Sequence, residues 1–92
     1  FRRRFRHTPL WRAHRRGLLR NAAIVLGNAG DAAAVAPLVK GLHDEEPLVR
    51  SACAWALGRI DADSARDVLR KRAASESDPD VMREIAAALD SG

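Results

Sequence analysis

The chain repeats itself with a period of 31 to 32 residues, and this constrains its fold more than any other feature. With Leu18, Val49 and Val81 in register, Ala23, Ala54 and Ala86 coincide, as do Val25, Ala56 and Ala88, and Leu26, Leu57 and Leu89. Gly27 matches Gly58, and the third copy breaks to Asp90. The segments between them follow the same offset: Ala34 with Ala65, Leu38 with Leu69, Pro47 with Pro79. Recurrence at this period marks a stacked helical-pair solenoid, in which each unit buries its apolar face only against its neighbours. The expected fold is all-α: an α-solenoid of about two and a half helix pairs behind a basic N-terminal arm.

The punctuation agrees with that pattern. Asp31 is placed to cap a helix running to about His43, with Val35, Leu38, Val39 and Leu42 on one stripe. Pro37 lies inside that helix and should bend it or tighten its first turn. Glu46-Pro47 and Asp78-Pro79 put an acid at the cap and a proline at the first helical position, where its missing N–H costs nothing. Asp61 or Asp63 starts the helix between them, with Ala65, Val68, Leu69 and Ala73 inward. Val49, Ala52, Cys53, Ala56, Leu57 and Ile60 form one buried stripe, and Val81, Ile85, Ala88 and Leu89 the next. The many alanines let helices approach closely, and Gly27 and Gly58 suit left-handed turns at helix ends. No stretch alternates apolar and polar residues as a half-buried strand would.

Residues 30–60, with a proline in the first helix and the run Val49-Arg50 to Ala54-Trp55-Ala56-Leu57-Gly58, resemble the short, lyase-type HEAT-like repeat. That resemblance implies a scaffold and names no function. The domain reading is a basic arm over residues 1–15 and HEAT-like helical repeats over 16–92. The chain opens at Phe1 inside an arginine run and is read as a piece of a longer protein or a processed chain.

Charge divides the chain. The first twenty residues hold eight arginines and no acid, whereas residues 21–92 hold eight basic groups against twelve acids. A polycationic arm on a mildly acidic body points to a partner dense in negative charge. Arginine forks onto phosphate oxygens and stacks on bases. Phe1, Phe5 and Trp11 interleave with the arginines, an arrangement suited to unstacked RNA bases; Trp11 and Leu10 equally suit docking the arm on the first helix. Arg16 and Arg20 are four apart and share a helix face.

Catalytic chemistry has no visible constellation. His7, His14 and His43 are scattered, and His43 ends a helix, where a cation is favoured. Asp44-Glu45-Glu46 precedes a helix and is explained by capping and dipole complementation. The lone Cys53 forms no internal disulfide and cannot by itself hold zinc or an iron–sulfur cluster. No apolar run reaches the roughly 18 residues of a membrane span, and no apolar signal core follows the basic residues. A free thiol without disulfides favours a cytoplasmic protein, and neither a membrane nor DNA is expected as a partner.

One further pattern is more specific. Thr8-Pro9 is followed by Arg12, Arg15 and Arg16, then by Leu19-Arg20-Asn21-Ala22 and a helix ending Leu26-Gly27-Asn28. This looks like the C-terminal part of epoxyqueuosine reductase, and Glu46-Pro47-Leu48 and Ala54-Trp55-Ala56 fit that family's HEAT-like tail. The resemblance implies an oxidoreductase that completes queuosine in tRNA with cobalamin and two [4Fe-4S] clusters. Its cluster cysteines and catalytic acid belong to N-terminal catalytic domains outside this chain, so no cofactor is expected here. The residues it suggests for tRNA or cleft contact are Arg12, Arg15, Arg16, Arg20 and Asn21. Arg2, Arg3, Arg4 and Arg6 fall outside the specific match. The competing readings are a free-standing HEAT-repeat scaffold for protein–protein contact and a module acting on a bilin carrier. Arginine density over residues 8–21 separates the first from the tRNA reading, and scarce aromatics and cysteine weigh against the second.

Overall fold

The computed structural model describes residues 9–60 and 62–90. Among them five α-helices and one 3₁₀ turn follow one another without a strand. They are α1 (Pro9–Ala29), the 3₁₀ turn (Ala32–Ala34), α2 (Val35–Leu42), α3 (Pro47–Ile60), α4 (Asp63–Ala73) and α5 (Pro79–Asp90). Helices α1, α3 and α5 pack side by side in one layer. Helix α2 lies on α3, α4 lies on α5, and α2 and α4 touch, making the second layer. The expected all-α solenoid is the fold observed.

Helices in the first layer run parallel, as a solenoid requires. Arg15 of α1 meets Asp44 just before α3, and Gly27 lies against Ala56 near its other end; both pairs are 29 residues apart. Gly58 of α3 meets Ala88 of α5 in the same sense.

The starts of the elements follow their sequence signals with two refinements. Asp31 accepts a hydrogen bond from the Ala33 amide at 2.9 Å. The turn it caps is 3₁₀, so the chain tightens before α2, and Pro37 falls in the first turn of α2, where no amide is needed. Asp78 caps α5, accepting from the amides of Asp80 and Val81 at 2.9 and 3.1 Å. Before α3, Asp44 is the side chain that accepts the Glu46 amide, at 2.9 Å, while the Glu46 carboxylate lies 3.8 Å from Arg16. Helix α4 starts at Asp63; Asp61 lies outside the described residues. Helix α1 starts at Pro9, so residues 9–15 of the expected arm are helical, and residues 1–8 lie outside the described part.

The glycines correct an expectation. Gly27 and Gly58 are interior to α1 and α3, and the left-handed residue that ends α1 is Gly30, with φ of 68°. A Cβ on Gly27 would sit 2.9 Å from the Cα and Cβ of Ala56, and one on Gly58 would sit 2.6 Å from the Ala88 Cβ. These positions are bare because neighbouring helices touch there.

The core runs between the layers through Leu38, Leu42, Val49, Cys53, Leu57, Leu69, Val81 and Ile85. The predicted stripes face the core, with Val35, Val39, Ala52, Val68, Ala73 and Leu89 half-buried at their edges. Leu18 and Val25 depart from their repeat mates: they are 60% and 66% exposed, whereas Val49, Val81, Ala56 and Ala88 are buried. Among the described residues no helix covers α1 as α2 covers α3 and α4 covers α5.

Candidate nucleic-acid interface

Helix α1 carries every residue singled out for contact: Arg12, Arg15, Arg16, Arg20 and Asn21. The structure divides them. Arg12, Arg16 and Arg20 stand at i, i+4 and i+8, one turn apart on one flank of the helix. Arg12 and Arg20 are exposed, and Arg20 donates to the Asn21 amide oxygen at 3.4 Å. Asn21 is exposed on a different side of α1. The described part of α1 contains four arginines and no acid, and its charge is sequence-local.

Arg15, about 100° round the helix from Arg16, has a structural partner. Its guanidinium grips Asp44 through Nη2–Oδ1 at 2.6 Å and Nη1–Oδ2 at 3.3 Å. The Arg15 bond holds the Asp44 carboxyl below the ordinary carboxylate range, and Asp44 in turn raises the Arg15 guanidinium. The acidic run 44–46 therefore does more than cap α3. It relieves the crowded arginines of α1 by pairing with Arg15 and lying near Arg16.

Two grooves flank α1. Between α1 and α2 lies a groove of about 620 Å³ lined by aliphatic side chains including Leu19, Leu26 and Leu38, with Arg15, Lys40, His43 and Asp44 at its rim. His43 caps α2, and its Nδ1 lies 3.0 Å from the Val39 carbonyl. Between α1 and α3 lies a second groove of about 280 Å³, into which Arg20 and Trp55 face. The Arg59 guanidinium carbon sits 5.6 Å from the Trp55 ring centroid, a cation–π contact along α3. Trp11 is half-buried, 6.0 Å from the His14 ring; Phe1, Phe5 and His7 lie outside the described residues.

Sequence reasoning overlooked two features here. Trp55 was legible only as part of the repeat pattern, although its spacing from Arg59 is that of a helical contact. The buried pair Arg50–Glu76 had no local signal, because its members are 26 residues apart.

The donor set does not fit an iron–sulfur cluster. Such clusters take cysteine thiolates, whereas Cys53 is 4% exposed, packs against Gly41, and has its thiol pushed up to about 11 by burial. No group of three or more His, Cys, Asp or Glu side chains is placed to hold a metal among the described residues. No helix among them is long and apolar enough to cross a membrane.

Two layers of paired helices stacked by a 31-residue repeat define an α-solenoid. The HEAT-repeat family pattern matches residues 13–90, and the chain belongs to that family. It is also 35% identical, over 98% of its length, to an uncharacterised protein encoded in the gldA 3′ region of Geobacillus stearothermophilus, of which it spans 42%. It is 32% identical over 92% of its length to the epoxyqueuosine reductase of Bacillus subtilis. It is 32% identical over 87% of its length to that of Bacillus cereus. The chain spans about a fifth of these two reductases, 22% and 21%. The resemblance read from residues 8–28 and the repeat tail thus holds across most of the chain.

Proposed function

We propose that this chain is the C-terminal HEAT-like segment of an epoxyqueuosine reductase and that it supplies part of the tRNA-binding surface for reduction of epoxyqueuosine to queuosine. The observation that carries the reading is the similarity to epoxyqueuosine reductases over 87–92% of the chain, α1 included. The arginine flank of α1 supports the RNA role. Arg12, Arg16 and Arg20 rise about 6 Å apart along the helix and neutralise phosphates without reading sequence. Arg15 holds α1 to the loop before α3, and Asn21 offers a neutral amide on the next side of the helix, its oxygen accepting from Arg20. The reaction's cobalamin and iron–sulfur clusters belong to the catalytic domains of the same protein, and the location is the cytoplasm. A free-standing protein-binding scaffold gives no reason for four arginines and no acid on one helix.

The test is fluorescence-anisotropy binding of a tRNA anticodon stem-loop across a salt series. Arg12→Ala, Arg16→Ala and Arg20→Ala should each weaken binding and lower the salt slope by roughly 0.7–0.9. Arg15→Ala should act mainly on stability. Salt-independent binding, or a triple variant that binds like the parent, would remove α1 from the interface.

A further inference from the structure

The 280 Å³ groove between α1 and α3 is built differently from a simple phosphate track. Its walls are Arg20 and Ile24 of α1, Leu48, Ser51 and Trp55 of α3, and Glu84 of α5. Its volume is close to the lower limit of roughly 300 Å³ for small-ligand sites. The Trp55 ring edge, at Cζ3, abuts the bare position of Gly27, which fixes the indole against α1. Trp55 also borders a smaller recess of about 150 Å³ shared with Arg59 and Ala88, and the Arg59 guanidinium lies over the ring. The indole is therefore half-exposed, held at its edge by Gly27 and overlaid by Arg59, and it lines the groove.

We propose that this groove is a subsite for one unpaired base of a bound RNA strand, a step that rests on the tRNA-binding reading above. Trp55 is the stacking surface. Arg20, the last member of the Arg12–Arg16–Arg20 flank, holds the phosphate at the groove mouth, so the backbone track and the base site are continuous. Ser51 and Glu84 face the edge of the base. A carboxylate beside a cationic track repels phosphate, but it accepts from an exocyclic amino group, as carboxylates do with cytosine N4. That combination fits an amino-bearing base and not a second phosphate. Stacking on an aromatic side chain tolerates any base face, whereas a duplex keeps its bases inside the stack.

The experiment compares two RNAs of equal length and charge, a hairpin with an open loop and a fully paired duplex, against the 92-residue chain in a Trp11→Phe background. Trp55 is then the only fluorophore of its kind. Loop RNA should quench Trp55 fluorescence and duplex should not. Trp55→Ala should weaken loop binding by roughly fivefold or more while leaving the salt slope unchanged, and Trp55→Phe should keep most of the affinity. Glu84→Gln should reduce the preference for loops containing cytosine or adenine over all-uracil loops. Unquenched Trp55 in a chain that binds loop RNA, or a folded Trp55→Ala variant with parental loop affinity, overturns the base subsite and leaves the α1 reading standing. An acidic peptide that quenches Trp55 where loop RNA does not also overturns it. Failure to bind either RNA at low salt overturns both.

Discussion

Glu76 shows what a single residue does in a solenoid this thin. It accepts five hydrogen bonds: from Arg50 Nε and Nη2 at 2.9 and 3.0 Å, from Arg72 Nε at 3.0 Å, and from the amides of Ser77 and Asp78 at 3.2 and 3.0 Å. Arg50 also donates to the carbonyls of Asp44 and Glu45, so one network ties the loop before α3 to the loop before α5. Burial alone would push the Glu76 carboxyl up. The Asp78 amide, Arg50 and Arg72 together outweigh it and bring the carboxyl down to about 2. Above the ordinary value of 4.5 the group is charged in the folded and unfolded chain alike, and its stabilisation is fully present. As pH falls from there toward 2, the unfolded chain takes up the proton first and the stabilisation is lost; the magnitude is on the order of 3 kcal/mol. Urea midpoints measured from pH 7 to pH 3 should therefore fall on the acid side. Glu76→Gln should cost about 3–5 kcal/mol at pH 7, since it strands Arg50, and should flatten the acid limb. A steep acid limb that survives in the variant would assign the effect to other carboxylates.

At the scale of elements, the distance between helices is set by residues that lack side chains. Gly58 brings α3 onto α5 at Ala88, and Gly27 brings α1 onto α3 at Ala56. Gly17 is also helical, but nothing lies within 4 Å of where its Cβ would be. The two kinds of glycine predict opposite outcomes. Gly17→Ala should stabilise by about 0.5–1 kcal/mol, through helix propensity alone. Gly58→Ala gains the same propensity but forces α3 and α5 apart, at roughly 1–3 kcal/mol. Its net effect should be destabilising, with a Tm several degrees lower; thermal unfolding followed by circular dichroism reads both. The glycine pattern was visible in the sequence, but its meaning was not. A glycine near the end of an apolar stripe reads as a helix terminator until the neighbouring helix is seen touching it. The apolar stripes, by contrast, were legible because the repeat shows each of them more than once. The Arg50–Glu76 and Arg15–Asp44 contacts were not legible, because pairing between repeats depends on how adjacent helices rotate, which no local pattern states.

Across the whole molecule, burial depends on a residue's place in the stack as much as on its type. Leu18 and Leu57 are both leucines on amphipathic helices of the same layer, yet Leu57 is 1% exposed and Leu18 is 60% exposed. Helix α3 is covered by α1 and α5 at its sides and by α2 above, whereas α1 packs mainly on α3 among the described residues. The repeat places Leu18 in register with Val49 and Val81, both buried. In a quasi-one-dimensional stack the stability is the sum of unit and neighbour terms, so the centre carries more of it than the end. Leu57→Ala should cost about 2–5 kcal/mol, the range for truncating a buried leucine. Leu18→Ala should stay within about 0.5 kcal/mol, as an exposed substitution does. Denaturant unfolding of the 92-residue chain separates these outcomes. A loss of more than about 2 kcal/mol for Leu18→Ala would mean that Leu18 is covered in solution, and that α1 is not the open edge of the first layer.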